Sequence, residues 1–396
     1  MSRPTNPSRA RSAGQVVEVK AVTWNKDSHG LFDYENSYYD MKKFQIGNST
    51  LLFRQNNEIQ SRSRNGMEIE NEENSEFLLS ISKKDLGSDK FVVDIAGVEG
   101  TPTRNAKPSY LIVRSLICRD GRSQRGYPLQ PGDVMKLGRV EYKVIEIRNS
   151  QGQFSVENQM DIYDQQNRQT FDADVCKINE ARKETGEPMV CKYCLLETVP
   201  DCPEDLANLM LYICDCCEGV HFQCLKMWMQ YKIILRTTQN VTSYQWKKLD
   251  CEICLKQWPK KIKFQGVVHE LITLNRPAGP YMIIEKPSVD PNTPSTMNII
   301  VPSGAEMVKM GRGHQCDLRI SDISVSRIHT HIKFEHDQFL AFDNDSKFGT
   351  LILLNKDYPV RTEKAAIQIG RTVFTFVLKT ANQEPNGAPN SSQIMG

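Results

Sequence analysis

Three stretches decide how this chain is read: Met310-Gly-Arg-Gly-His-Gln-Cys-Asp-Leu-Arg-Ile320, Ser321-Asp-Ile-Ser-Val-Ser-Arg-Ile-His329 and Asp343-Asn-Asp-Ser-Lys-Phe-Gly-Thr350. Between the second and third, Thr330, Ile332 and Phe334 alternate with polar residues, the period of a half-buried strand. The polar motifs Gly311-Arg312, Ser326-Arg-Ile-His329 and Gly349-Thr350 therefore sit where strands begin and end. An arginine fork and a serine hydroxyl at the ends of adjacent strands can hold a phosphate through charge-assisted hydrogen bonds.

Gly-Arg, then Ser-x-x-His, then Gly-Thr, in this order, resembles the forkhead-associated (FHA) domain, over about residues 280–380. The resemblance implies an all-β sandwich that reads phosphothreonine. Arg312 and Ser326 would bind the phosphate, Arg327 would sit beside it on the peptide, and His329 would brace the loop from within. One position departs from the family. Phe348, preceded by Lys347, stands where FHA domains commonly place an Asn on the peptide backbone. Lys347 could add a phosphate contact in its stead, and an FHA fold kept only as a rigid platform is the competing expectation.

Working outward, residues 15–150 contain short apolar runs separated by turn residues: Gln15–Val22, Leu51–Phe53, Phe77–Ile81, Phe91–Ile95, Tyr110–Ile117 and Val134–Ile147. Their alternation predicts an all-β domain, with Ser61–Asn74 as a long loop. Leu137-Gly-Arg-Val-Glu-Tyr-Lys-Val144 and Ile369-Gly-Arg-Thr-Val-Phe-Thr-Phe376 share a Gly-Arg followed by alternating apolar residues, and each closes its β region. A shared hairpin in two related sandwiches would produce this, and so would chance similarity between amphipathic strands. No Ser-x-x-His follows Gly138-Arg139, so a degenerate FHA relative there should not read phosphate.

Nine of the twelve cysteines lie between Cys191 and Cys254, which points to metal rather than disulfides. The order is Cys191-x2-Cys194, Cys214-x-Cys216, His221-x2-Cys224 and Cys251-x2-Cys254, a C4HC3 set. Four such corners hold two tetrahedral zinc ions with every position filled, as in a structural site. The set is similar to two families, the RING-CH and PHD fingers, both cross-braced. That likeness implies Cys191, Cys194, His221 and Cys224 on the first ion, and Cys214, Cys216, Cys251 and Cys254 on the second, with Cys217 able to replace Cys216.

His221-Phe-Gln-Cys-Leu-Lys-Met-Trp228 and Lys248-Leu-Asp-Cys-Glu-Ile-Cys-Leu255 resemble RING-CH; Phe222, Leu225, Trp228 and Met229 fall at helical spacing. Leu249 stands where PHD fingers usually carry Trp, whereas the four residues between Cys216 and His221 are closer to PHD. RING-CH implies ubiquitin ligation, in which a ubiquitin-conjugating enzyme is gripped and its thioester oriented. Tyr193, Trp228 and Pro259 are the candidates for that grip; packing between the zinc lobes is their alternative role.

The expected organisation is a tail at 1–14, an all-β domain at 15–150, a polar linker at 151–187 with a helix near Val175–Thr185, and a small α+β zinc module at 188–258. A linker at 259–279, the FHA sandwich at 280–380 and a second tail at 381–396 complete it. Fifty basic against 48 acidic residues leave a formal +2, which gives no reason to expect nucleic acid. No apolar run reaches the ~18 residues of a membrane span, and residues 1–12 lack a secretory apolar core. An intracellular chain is expected. RING-CH with FHA resembles a group of ciliate-protist proteins. It implies an E3 ligase whose FHA domain selects phosphothreonine partners, the linker raising their effective concentration. A non-enzymatic phosphopeptide or histone reader, or a scaffold with a PHD-like finger, is the alternative.

Overall fold

The computed structural model describes residues 15–24, 30–63, 75–84, 90–95, 107–118, 123–156, 170–172, 189–198, 206–213, 219–247, 249–286, 295–301 and 307–380. Both tails, the helix expected at Val175–Thr185 and most of the Ser61–Asn74 loop lie outside them.

The first half supplies β1 (Gln15–Trp24), β2 (Tyr39–Ile46), β3 (Thr50–Gln55), β4 (Glu58–Ser63), β5 (Ser75–Lys84), β6 (Lys90–Asp94), β7 (Ser109–Ile112), β8 (Tyr127–Pro128), β9 (Val134–Leu137) and β10 (Val140–Arg148). The middle carries β11 (Phe154–Val156), β12 (Thr170–Asp172), β13 (Met189–Val190), β14 (Glu197–Thr198), β15 (Met210–Leu211), β16 (Val220–His221), α1 (Phe222–Tyr231), β17 (Ile234–Thr237), β18 (Val241–Trp246), β19 (Lys261–Phe264) and β20 (Val267–Glu270). The last part holds β21 (Tyr281–Lys286), β22 (Ser295–Ile300), β23 (Val308–Gly311), β24 (Leu318–Arg319), β25 (Thr330–Glu335), β26 (Gln338–Asp343), β27 (Thr350–Leu353), β28 (Tyr358–Pro359), β29 (Ala365–Ile369) and β30 (Thr372–Thr380). The strands expected in the first half are present, and β2 joins them; its sequence is too polar to announce itself.

The two β regions that the sequence separates share one 13-stranded sheet. Its order is β17-β18-β22-β21-β10-β9-β27-β7-β29-β30-β1-β2, with β11 on β10. The ten strands from β22 to β2 read as a palindrome about the β27–β7 pair, with β22, β21, β10, β9 and β27 answering β2, β1, β30, β29 and β7. Registers repeat accordingly. Leu137 pairs with Thr350 on β27, and Ile369 pairs with Ser109 on β7. The two Gly-Arg hairpins turn at Gly138 (φ +61°) and Gly370 (φ +56°). Two five-stranded sheets, β24-β23-β25-β26-β8 and β28-β6-β5-β3-β4, repeat the pattern.

Each half has thus given its last three strands to the other. One core packs Met135, Leu137, Tyr142 and Val144 of the early hairpin with Val308, Met310, Ile332 and Phe339. The other packs Ile367, Ile369, Phe374 and Phe376 of the final hairpin with Val17, Val19, Leu52 and Leu79. Alternation drives both, since Val140, Tyr142 and Val144 are buried while Glu141 and Lys143 are half-buried on the opposite face.

The cysteine-rich segment is built onto this frame. The 26 residues between Cys224 and Cys251 contain β17 and β18, and β18 pairs with β22 along its whole length. The segment expected as a linker at 259–279 is a β-hairpin, β19–β20, with β12 parallel to β19. Arg276 fastens it by reaching Glu146 and Glu270, and Lys260 by reaching Glu285. β21 is buried from Tyr281 to Glu285 because both its faces are covered. Met282 and Ile284 face the sandwich, while Tyr281 and Ile283 pack with Leu225, Met229 and Trp246 of the middle segment. Full burial of such side chains contributes ~1.5–3 kcal/mol each, enough to hold the segment in place. Among the described residues no helix is long and apolar enough to cross a membrane.

Candidate functional site

At one end of the second sandwich the loops after β23, before β25 and after β26 meet. The Arg312 N–H donates to the Ser326 carbonyl (2.9 Å), and the Gly313 N–H to the Arg327 carbonyl (2.8 Å). The Ser326 hydroxyl accepts the Lys347 N–H (3.0 Å). Arg312, Ser326, Arg327 and Lys347 are thereby brought together, with the three cationic side chains exposed and Ser326 half-buried. Arg312 is further steadied by its Nε–H, which donates to the Val325 carbonyl (3.2 Å).

His329 lies beneath, fully buried, with both ring nitrogens engaged. Nδ1 accepts the Ser326 N–H (3.1 Å), which leaves the proton on Nε2 to be donated to the Gly349 carbonyl (3.1 Å). Burial lowers its pKa below the ordinary 6.5, so the neutral ring is the folded form. His329 thus ties the loop before β25 to the loop before β27.

The Asp343–Thr350 loop is organised by a carboxylate that the sequence reading passed over. Asp343 Oδ1 accepts from Ser346 Oγ (2.6 Å) and from the Thr350 N–H and Oγ1 (both 2.7 Å). Arg114, from just after β7, pairs with Oδ2 at 2.6 Å and also donates to the Ser346 carbonyl. Its guanidinium lies over the Tyr34 ring, 4.5 Å from the centroid. The ring in turn closes on Gly349, where a Cβ would meet Tyr34 Cε2 at 2.9 Å and φ is +73°. Asp343 with Ser and Thr three and seven residues on is a detectable loop signal. Arg114 and Tyr34 carry none, because it is the pairing of β7 with β27 between the two halves that brings them here.

The second site lies in the middle segment. Cys191, Cys194, His221 and Cys224 place one ligand atom each within 4.8 Å of one another. His221 Nδ1 is 3.3 Å from Cys194 Sγ and 3.8 Å from Cys224 Sγ. A tetrahedral zinc with Zn–S near 2.3 Å and Zn–N near 2.0 Å requires ligand separations of about 3.5–3.8 Å, so the set fits such an ion. Burial pushes the Cys224 thiol up to about 12, with the neighbouring Cys194 and Cys191 sulfurs adding to the shift. This cluster could hold one metal ion.

Of the second expected ligand set, Cys214 and Cys216 lie outside the described residues, as does Cys217. Cys251 and Cys254 are described, and their turn repeats the first one. The Leu195 and Leu255 N–H groups each donate to the first cysteine's carbonyl at 2.9 Å, with φ of +58° and +60°.

Tyr193 and Trp228 stack at 5.8 Å between centroids, both half-buried, with Lys232 over the Trp228 ring at 5.1 Å. Pro259 does not join them. It is buried directly after Trp258, whose N–H donates to Leu249, at the entry to β19, so it presents no surface to a partner. α1 buries Phe222, Leu225 and Met229 as its spacing predicts, and Trp228 lies at the margin of that face.

A family model described as FHA domain matches residues 308–373. No curated protein and no solved structure matches the chain. The matched segment holds β23 to β29, of which β28 and β29 sit in the other sandwich and are replaced in their own by β8 and β9. Residues 308–373 of this chain are an FHA domain.

Proposed function

We propose that the chain binds phosphothreonine-containing partners through Arg312, Ser326, Arg327 and Lys347. The observation that carries this reading is the convergence of three exposed cations and a hydroxyl on one rigid loop cluster, held from below by His329. A phosphate brings close to two negative charges and three acceptor oxygens, which matches that donor set. With Phe348 in place of the Asn common in FHA domains, Arg327 is the residue that would contact the peptide. Anisotropy titration of the full chain with an oriented phosphothreonine peptide library, against the unphosphorylated library, tests it. Equal binding of the two would remove the reading.

The finer proposal is that the middle segment is a two-zinc RING-CH finger that recruits a charged ubiquitin-conjugating enzyme, making the chain an E3 ligase. The repeated cysteine turn at Cys251–Cys254 supports a second ion completed by Cys214 and Cys216. Leu195, Leu196, Ile253 and Leu255 at the two turns are each about two-thirds exposed or more, an apolar surface suited to a protein partner alongside Tyr193 and Trp228. Docking onto β21 and β22 through β18 would hold a bound substrate and the enzyme in fixed relation rather than on a flexible tether. The same docking favours the second reading, a structural finger in a phosphopeptide scaffold. Ubiquitin discharge from a panel of conjugating enzymes by the zinc-loaded full chain separates them. The ligase reading expects acceleration that Cys191→Ala abolishes; the scaffold reading expects none.

A further inference from the structure

The loop that carries Lys347 is strapped down by residues from the far end of the chain. Leu31 and Phe32 are buried, and the Tyr34 N–H donates to the Lys347 carbonyl (3.0 Å). Tyr34 lies under Arg114, and its hydroxyl donates to Gln368 Oε1 (3.2 Å) on β29. The strap is therefore anchored in both halves. It presents Asp33 with Oδ2 3.3 Å from Lys347 Nζ, while Oδ1 accepts the Glu35 N–H (3.0 Å) in the strap's own turn. The Asp33 side chain is 12% exposed and that of Lys347 is 46% exposed. The carboxylate is fixed and nearly buried, whereas the ammonium rides on a flexible four-carbon stem.

We propose that Asp33 is a built-in competitor for the phosphate, holding the Lys347 ammonium until a phosphorylated ligand draws it away. This rests on the phosphopeptide reading above and adds its regulation. A ligand that takes Lys347 leaves Asp33 without its cation in a nearly buried position, a cost the ligand must offset. A phosphate, with close to two charges, offsets it; the single charge of a glutamate does not. The strap thus makes the site reject acidic peptides more strongly than Arg312 and Ser326 would by themselves.

The test is titration of the full chain with the phosphothreonine library and with a library carrying Glu in its place. Asp33→Asn keeps the oxygen that accepts the Glu35 N–H and removes the charge. It is expected to tighten phosphopeptide binding about two- to fivefold, the range set by a partly exposed ion pair, and to tighten the Glu library more. Glu35→Gln, which removes a charge from the same strap without touching Lys347, should change neither. On a Lys347→Ala background, Asp33→Asn should have no further effect. If Asp33→Asn fails to fold, Asp33→Ser, which also retains an acceptor for the turn, takes its place. Equal affinities of Asp33→Asn and the parent for both libraries overturn the competitor and leave phosphopeptide binding standing. No binding by parent or variant overturns both.

Discussion

The exchange of hairpins between the two sandwiches can be tested by a covalent bond that only the exchanged topology permits. Lys20 on β1 lies directly opposite Thr375 on β30, both half-buried on the outer face. Opposed residues of an antiparallel pair have Cα atoms about 4.5–5.5 Å apart, within the range a disulfide spans. Lys20→Cys/Thr375→Cys should therefore cross-link on mild oxidation with zinc present. In an unexchanged chain, the equivalence of the two Gly-Arg hairpins would put Thr375 opposite Glu285, the residue that Lys143 faces here. Thr375→Cys/Glu285→Cys should then stay unlinked. The bridge closes a loop of roughly 350 residues, for which the chain-entropy estimate is ~6 kcal/mol and engineered bridges commonly deliver ~2–4 kcal/mol. The assay is identification of the linked peptide after digestion without reduction, together with a denaturant midpoint that rises on oxidation and returns on reduction. A linked 285–375 peptide and an unlinked 20–375 pair would refute the exchange. Charge favours it as well. Lys143 faces Glu285 in the observed register, whereas the unexchanged pairing would set Lys143 against Lys20, and opposed like charges destabilise a sheet.

Three further outcomes follow from the two sites. Arg312→Ala should weaken phosphopeptide binding about 10- to 100-fold in the same titration, the equivalent of one or two charge-assisted bonds. His329→Ala should destabilise the second sandwich by about 1–3 kcal/mol for each backbone group it orphans, read by denaturant unfolding. Because the folded His329 pKa lies below 6.5, the unfolded chain takes up the proton first as pH falls. This contribution is fully present above about pH 6.5 and declines below it, so the parent should lose stability between pH 7 and 5 more steeply than His329→Ala. Cys191→Ala should lower zinc content measured by mass spectrometry and strip hydrogen-exchange protection from α1 and β18, because structural zinc supplies roughly 10–16 kcal/mol of folding free energy. Retained protection in the metal-free variant would show that docking on β21 and β22 suffices.

Much of this protein could be read before any coordinates. Gly311-Arg312, Ser326 and His329 stood out through their resemblance to the FHA motif, and the structure adds that the His329 ring bonds backbone three residues away. The Cys-x2-Cys and His-x2-Cys spacings worked for a local reason, since a tight turn by itself aims two ligands at one ion, and Cys191, Cys194, His221 and Cys224 do converge. The alternation of β1 and β10 correctly gave strands and their buried faces. What alternation could not say is which neighbour a strand takes, because any amphipathic hairpin offers the same apolar face to either sandwich. That choice, made by long-range pairing, put β30 beside β1 and β10 beside β21 and turned the expected linker at 259–279 into a fastened hairpin. It also buried Pro259 and brought Asp33, Tyr34 and Arg114 onto the phosphate loop from hundreds of residues away. Local chemistry belongs to the sequence; the company each strand keeps is decided only when both cores close, because only then do the cross-strand charges and buried faces of distant segments count against one another.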